Sequence, residues 1–386
     1  MYNELAKYAN QYRDELLESV IPFWMYNSKD DVFGGYLTSL NRKGEVYDTD
    51  KFMWLQGREV WLFSMLYNKV EKKQEWLDMA LHGADFMKKF GMDKQGNWYF
   101  SLTREGKPLV QPYNIFSDCF AAMAFSELYK ATGDEDHKRI ALNTFNNILK
   151  RKDNPKGLYN KAFPGTRPLK TFALPMILCN LSLIMEDILG TEQVNKTIQP
   201  LINEVMEVFY DKKSGLILES VTPEGEFSDS FDGRLTNPGH TNESMWFMMD
   251  LGVRNNGKAL IDKAIEILLR STEAGWDKKH GGIFYFLDIK GHPTQQLEWD
   301  QKLWWVHVET LISMAKGYHL TGNEKCKEWF ETIHEYTWNH FKDPEYPEWY
   351  GYLNREGNPL LDLKGGKWKG CFHVPRGMCE IWKILE

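Results

Sequence analysis

Two histidines of the sequence lie where helices are predicted to begin. His240 stands in the segment 237–246 (NPGHTNESMW), and His373 stands in the segment 370–376 (GCFHVPR). Pro-Gly ends a loop, Thr or Asn caps a helix, and proline suits a first turn, so a helix is predicted at each site. The helix macrodipole lowers the pKa of a histidine at this position and keeps its ring neutral, as a general base requires.

Two neutral histidines that face each other across a cleft can move a proton between the two faces of one carbon atom. One ring takes the proton from one face, and the other ring returns a proton to the opposite face. The spacing equally allows two unrelated loop histidines. The interpretation therefore depends on a fold that brings His240 and His373 together.

Two glutamates are candidates for partners of these rings. Glu243 lies three residues after His240, on a neighbouring face of the predicted helix, where it also suits the dipole as a plain first-turn acid. Glu309 ends the segment 302–309 (KLWWVHVE) and shares a helix face with Trp305. Among these aromatic residues it is either a cleft carboxylate or a paired structural acid.

An arginine and an aspartate complete the candidates. The segment 54–61 (WLQGREVW) places Trp54, Arg58 and Trp61 on one helical face. An arginine between two indoles needs a partner, which is either a cleft carboxylate or a developing enediolate oxygen. Asp118, after Ile-Phe-Ser, is either a cleft acid at a helix start or a cap.

Composition excludes several other classes of function. The net charge is −7, from 47 basic and 54 acidic residues, which argues against a nucleic-acid binder. No apolar stretch approaches a membrane span, and the N-terminus does not resemble a signal peptide. The five cysteines show no CxxC spacing, so no zinc site or disulfide framework is predicted. No Walker, GxGxxG, HExxH or GxSxG motif is present. We therefore expect a cytoplasmic protein without a membrane or nucleic-acid partner.

One pattern of turns recurs six times and must position these side chains. Each copy has a polar turn, a glycine, a short β-prone aromatic piece and a second glycine turn, with markers at Gly35, Gly96, Gly157, Gly215, Gly282 and Gly351. The interval of roughly sixty residues leaves room for two helices per copy. Six helical hairpins without polar end caps fit a closed toroid better than an open solenoid. We predict one all-α (α/α)6 barrel domain over residues 1–386, with short β-hairpin loops at one end.

The chain resembles the N-acylglucosamine 2-epimerase family along nearly its whole length. The resemblance is carried by the segments 46–61 (VYDTDKFMWLQGREVW), 115–124 (IFSDCFAAMA), 237–247 (NPGHTNESMWF), 275–286 (GWDKKHGGIFYF), 296–309 (QLEWDQKLWWVHVE), 343–357 (DPEYPEWYGYLNREG) and 369–380 (KGCFHVPRGMCE). The family has the (α/α)6 barrel and interconverts N-acetyl-D-glucosamine and N-acetyl-D-mannosamine. The resemblance implies ring opening, followed by histidine-mediated loss and return of the C2 proton.

The resemblance also assigns roles to individual residues. It implies that His240 and His373 transfer the proton, that Arg58 lies near the substrate oxygens, and that two glutamates orient the histidines and bind hydroxyls. Those glutamates are Glu243 and Glu309. Asn242 stands where the family has an aliphatic residue. The expected substrate-binding residues are Trp54, Asp118, Lys161, Trp305 and Trp246.

Further expectations and rivals follow from the same resemblance. No metal or cofactor is required, ATP is an optional allosteric activator, the partner is a small sugar, and a homodimer is expected. One rival is a cellobiose- or mannose-type 2-epimerase, or an aldose–ketose isomerase, on the same barrel. A second is a glycoside hydrolase that would pair Asp118 with Glu309 or Glu243. A third is a non-catalytic binding protein.

Overall fold

Two kinds of helix alternate along the chain in the computed structural model, which describes residues 4–163 and 165–386. In one kind nearly every side chain is buried, as from Ser117 to Leu128. In the other kind only one stripe is buried, as at Ile140, Ala141 and Thr144. A helix that is apolar all round must be enclosed, and an amphipathic helix covers it.

The helices have the following bounds in chain order: α1 (Ala9–Asp14), α2 (Ile21–Asn27), α3 (Met53–Lys69), α4 (Gln74–Phe90), α5 (Phe116–Thr132), α6 (Glu135–Arg151), α7 (Ala173–Ile184), α8 (Glu186–Leu189), α9 (Thr191–Asn203), α10 (Pro238–Arg254), α11 (Lys258–Gly275), α12 (Trp304–Thr321), α13 (Glu324–His340) and α14 (His373–Leu385). Short 3-10 turns cover Glu4–Tyr8 and Gly157–Tyr159, and π-helical segments cover Glu15–Val20 and Glu204–Val208.

Six helices form an inner ring in the order α3, α5, α7, α10, α12 and α14, each packed on the next. The ring closes where Cys379 Sγ of α14 lies 3.9 Å from Met65 Sδ of α3. Helices α4, α6, α9, α11 and α13 pack outside their preceding inner helices. The sixth hairpin joins the two ends of the chain, because α1 packs on α14. The predicted (α/α)6 barrel of six helical hairpins is confirmed.

The strands are short and antiparallel. Their bounds are β1 (Ser39–Leu40), β2 (Val46–Asp48), β3 (Lys51–Phe52), β4 (Ser101–Leu102), β5 (Pro108–Val110), β6 (Lys170–Thr171), β7 (Tyr210–Asp211), β8 (Leu216–Ile217), β9 (Ser220–Val221), β10 (Leu235–Thr236), β11 (Leu287–Asp288), β12 (Lys302–Leu303), β13 (Tyr352–Leu353) and β14 (Pro359–Leu361). The sheets are β1-β2, β3-β4-β5, β6-β9, β7-β8, β10-β11 and β12-β13-β14. Strands β3, β6, β10 and β12 lead directly into inner helices and so fix where those helices begin.

An ion triad recurs among the loops that the repeated turns form. A buried aspartate accepts from a buried lysine at 2.8–3.3 Å and from an arginine of a neighbouring repeat at 2.8–2.9 Å. The triads are Asp30 with Lys51 and Arg104, Asp277 with Lys302 and Arg355, and Asp343 with Lys364 and Arg42. The last triad ties the first repeat to the last.

Candidate active site

The first two turns of the inner helices surround a cavity of about 520 Å³ at the β-hairpin end of the barrel. Every inner helix contributes at least one lining side chain: Trp54, Phe116, Ile177, His240, Trp305 and His373. Aromatic and aliphatic walls with a few polar groups are typical of a site for a small ligand. The ring therefore brings together the two histidines that lie 133 positions apart in the sequence numbering.

His373 begins helix α14 and is held by Glu309 of α12. The His373 Nδ1 and Glu309 Oε1 atoms are 2.7 Å apart, and the Trp246 indole donates to Glu309 Oε2 at 3.0 Å. A carboxylate accepts, so Nδ1 carries the hydrogen and the Nε2 atom keeps its lone pair. Because the ring lines the cavity, His373 is positioned as a base.

Arg376, which sequence reasoning gave no role, pairs with both carboxylates near His373. Its Nη2 atom donates to Glu243 Oε1 at 2.7 Å and to Glu309 Oε1 at 2.6 Å. It lies one helical turn after His373, and that spacing in the HVPR segment was the signal that could have identified it. Burial lowers the pKa of His373 well below its usual value, and the charges of Arg58 and Arg376 lower it further.

His240 is held by a different carboxylate from the one expected. Its Nδ1 atom lies 3.0 Å from Oε1 and 3.1 Å from Oε2 of Glu219, between strands β8 and β9. Glu243 bonds Arg376 instead, which corrects the expectation that it orients His240. The one sequence signal for Glu219 is an acid within an otherwise apolar β-prone run, LILESV.

The two rings have opposite pKa shifts, which corrects the expectation that both are lowered. Burial lowers the pKa of His240, but the Glu219 carboxylate outweighs it and the net shift is upward. Helix α10 begins at Pro238, and the Asn237 side chain caps it by accepting from the His240 amide at 3.1 Å. Thr241, expected as a cap, lies inside the helix. The surroundings thus favour the imidazolium form of His240 and the neutral form of His373 relative to an ordinary histidine.

Trp305 contacts both histidines. Its ring centroid lies 5.2 Å from that of His240 and 5.8 Å from that of His373. All three rings line the cavity. A flat indole beside two imidazoles offers a surface on which the C–H face of a sugar can pack while its hydroxyls reach polar groups.

Arg58 has aromatic neighbours rather than a carboxylate partner. Its guanidinium carbon lies 4.1 Å from the Phe120 ring centroid and 4.8 Å from those of Trp54 and Phe372. Among the described residues it makes no ion pair, and its Nε atom has no hydrogen-bond partner. Burial lowers the pKa of Arg58 to about 9. This cation lines the cavity and is free to meet an anionic oxygen of a ligand.

Two expected substrate contacts are not brought to the cavity. The Asp118 carboxylate is buried outside the lining and bonds Arg151 of α6 at 2.9 Å, so it ties an outer helix to an inner one. Lys161 is exposed in the loop before β6 and does not line the cavity. The expectation that Asp118 contacts the sugar is therefore corrected, because its environment is closed by Arg151 and the Trp98 amide.

Some of the remaining predicted residues line the cavity, and others support the residues that do. Trp54 and Trp305 line the cavity, whereas Trp246 supports Glu309 from behind. Asn242, in place of an aliphatic residue, is buried and donates to Thr272 and Thr310 at 3.2 and 2.9 Å. The lining also includes residues that sequence reasoning did not single out: Phe116, Ala173, Met176, Ile177, Tyr285, Glu298, Gln301, Leu303, Tyr352 and Trp368.

One cluster has the atom types of a cation site. Ligand atoms of Glu243, Glu309 and His373 lie within 4.8 Å of one another. The Arg376 guanidinium already bonds both carboxylates at 2.6–2.7 Å and offsets part of their negative charge. The cluster therefore serves to hold and tune the histidine.

Comparisons with known proteins show similarity in sequence and in fold. The family model described as N-acylglucosamine 2-epimerase (GlcNAc 2-epimerase) matches residues 35–374. The N-acylglucosamine 2-epimerase of Rattus norvegicus is 39% identical over 374 residues, which cover 94% of this chain and 89% of the relative. The cellobiose 2-epimerase of Ruminococcus albus is 26% identical over 407 residues, which cover 96% of this chain and 97% of the relative. The solved structure of cellobiose 2-epimerase from Bacillus thermoamylovorans has a TM-score of 0.84 at 23% identity, over 98% of this chain and 99% of that chain, and shares the fold.

Proposed function

We propose that this chain, which belongs to the N-acylglucosamine 2-epimerase family, interconverts N-acetyl-D-glucosamine and N-acetyl-D-mannosamine. Enzymes of this kind are isomerases, and the predicted family is confirmed by the match over residues 35–374. The observation that carries the proposal is the pair of cavity-lining histidines, each bonded through Nδ1 to its own glutamate.

The chemistry begins with ring opening of the sugar. In the closed pyranose the C2 proton is not acidic, but the open chain places C2 beside the C1 aldehyde. The neutral His373 then takes the C2 proton through its Nε2 atom, and the electron pair moves into an enediolate. Arg58 lies at the cavity without a carboxylate partner and stabilises the developing oxygen charge.

The second proton transfer completes the inversion. Protonated His240 gives its proton to C2 from the opposite face, and the enediolate collapses to the aldehyde. One turnover in the direction in which His373 removes the C2 proton leaves His373 protonated and His240 neutral. The rings must exchange protons with water before the next turnover in that direction, and the reverse reaction uses the same rings in exchanged roles.

Proton NMR of the purified protein in D2O with N-acetylmannosamine tests the proposal. We expect N-acetylglucosamine that carries deuterium at C2, and loss of this product in both His240→Ala and His373→Ala. His319→Ala is a matched control, since His319 lies in the last turn of α12. Absence of C2 exchange with any sugar, with or without ATP, would overturn the proposal.

A cellobiose-type 2-epimerase is the second candidate, and one feature of the cavity favours it. Trp368 lies at the cavity and is 48% exposed, which leaves an aromatic surface where a second sugar could pack. Parallel reactions with cellobiose and mannose decide between the two. The hydrolase rival needs two free carboxylates, whereas Asp118, Glu243 and Glu309 are each bonded to an arginine.

The proposal includes a cytoplasmic location, a homodimer and activation by ATP without its consumption. All five cysteines are unpaired and buried, which suits a reducing compartment. Within the described residues, none of the helices has the length and apolar character to cross a membrane. Light scattering tests the dimer, and turnover assays with ATP and with a non-hydrolysable analogue test the activation.

A further inference from the structure

The cavity has an apolar wall on helix α7, and we propose that this wall is the subsite for the acyl group of the substrate. Its side chains are Ala173, Met176 and Ile177, with Phe116 of α5 beside them. The inference rests on the proposed function, since an acyl subsite has meaning only for an N-acyl sugar. This apolar wall would be the part of the chain that distinguishes N-acyl sugars by their acyl group.

The wall follows from the spacing of its residues. Ala173, Met176 and Ile177 stand at positions i, i+3 and i+4 of one helix and therefore share a face. Ala173 and Ile177 are half-buried, so part of their apolar surface is presented to the cavity. Within the described lining, α7 contributes no polar side chain. A sugar hydroxyl placed here would lose its water without gaining a partner.

The polar partners for hydroxyls lie elsewhere in the cavity. Tyr285, Glu298 and Gln301 come from the segment that leads to β12, and Glu243 comes from α10. The segment that holds Tyr285 packs near Trp305, as the two ring centroids are 6.0 Å apart. The cavity thus divides into a polar part around α12 and an apolar part on α7.

The apolar part lies next to the reacting carbon. Helix α7 packs directly on α10, which carries His240, and lies three places from α14 in the ring of six. The acyl amide is attached to C2, the same carbon whose proton moves. In the proposed complex C2 lies within reach of both His240 and His373, and the acyl methyl group lies against Ile177 and Ala173, which line the same cavity.

Acyl-chain selectivity tests this wall without depending on absolute activity. We would measure kcat/KM for N-acetyl-, N-propanoyl- and N-butanoylmannosamine with the wild-type chain, Ile177→Ala and Ile177→Phe. Because one methylene in an apolar pocket is worth about tenfold or more, the propanoyl-to-acetyl ratio should rise about tenfold in Ile177→Ala and fall by a similar factor in Ile177→Phe. Ile184→Ala, the same change at the far end of α7, should leave the ratio unchanged.

The outcomes separate the two claims. A propanoyl-to-acetyl ratio in Ile177→Ala within twofold of the wild-type value overturns the acyl subsite. A merely structural role of Ile177 would lower kcat/KM for all three substrates by the same factor. That variant decides the matter alone if Ile177→Phe does not fold. A wild-type chain that exchanges the C2 proton of none of the three sugars overturns the proposed function instead.

Discussion

His240 Nδ1 contacts both carboxylate oxygens of Glu219, at 3.0 and 3.1 Å, across 21 positions of the sequence. Among the described residues no arginine forms an ion pair with this carboxylate, whereas Arg376 pairs with Glu309. Burial lowers the pKa of His373, and the charges of Arg58 and Arg376 lower it further, whereas at His240 burial is outweighed by the Glu219 carboxylate, which raises the pKa. Two residues of the same type in one cavity thereby have pKa values shifted in opposite directions, as expected for an acid and base pair.

Glu219→Gln should lower the pKa of His240 and reduce turnover. The amide keeps a hydrogen-bonding group but removes the charge that favours the imidazolium. We expect kcat to fall by about tenfold or more, and the limb of the pH–rate profile that belongs to His240 should move to lower pH. Glu226→Gln, exposed in the same region, is the control. An unchanged profile in Glu219→Gln would contradict the assigned pairing.

Arg58→Met should separate activity from stability. Methionine suits the aromatic surroundings of Arg58, and the change removes a buried charge that has no carboxylate partner. We expect kcat to fall by roughly 10²- to 10³-fold, whereas the melting temperature should stay the same or rise. The exposed Arg139→Met is the control. Retained activity would show that another group stabilises the enediolate.

Asp118→Asn should affect stability more than catalysis. The carboxylate bonds Arg151 outside the cavity, and burial raises its pKa to about 7. We expect kcat/KM within about twofold of wild type and a loss of about 1 kcal/mol in the free energy of unfolding. Urea titration and steady-state kinetics at one pH measure both. A large loss of kcat at full stability would return Asp118 to the catalytic candidates.

Asp343→Asn should weaken the link between the two ends of the chain. It leaves the buried Lys364 ammonium, 2.8 Å away, without its counter-charge. Loss of one partner of a buried pair costs about 3 kcal/mol or more. Arg42 is the arginine of this triad, and Glu345 is its second, exposed partner. Glu345→Gln should therefore leave the free energy of unfolding, measured by chemical denaturation, unchanged. Equal stability of the two variants would show that the triad does not hold the ring closed.

Glu59→Gln should flatten the dependence of stability on pH. Burial raises the pKa of Glu59 to about 8 from 4.5, so the folded chain keeps a proton that the unfolded chain loses. The free energy of unfolding therefore falls as pH rises from about 4.5 to 8, by at most about 1.4 kcal/mol per pH unit. The variant lacks this contribution. Melting curves across this range, with Glu75→Gln as the exposed control, measure the difference.

Local signals were sufficient to predict the architecture. Six copies of one turn pattern, each followed by room for two helices, predict a closed ring of hairpins because neither face of such a hairpin can be left in water. The segments around His240, His373 and Arg58 identify reactive side chains near helix starts. The ring then places those starts around one cavity. These features depend on periodicity and turn chemistry, which act over a few residues.

Pairing between distant residues could be decided only by the tertiary structure. The sequence by itself indicated the hairpin repeat and the barrel, and it singled out His240 and His373 as candidates for proton transfer. The fold decided that Glu219 rather than Glu243 bonds His240, that Arg376 pairs with Glu309, and that Asp118 bonds Arg151. The reason is physical: a charged side chain pairs with whichever opposite charge the packed backbone brings within a few ångströms, and sequence spacing does not encode that distance.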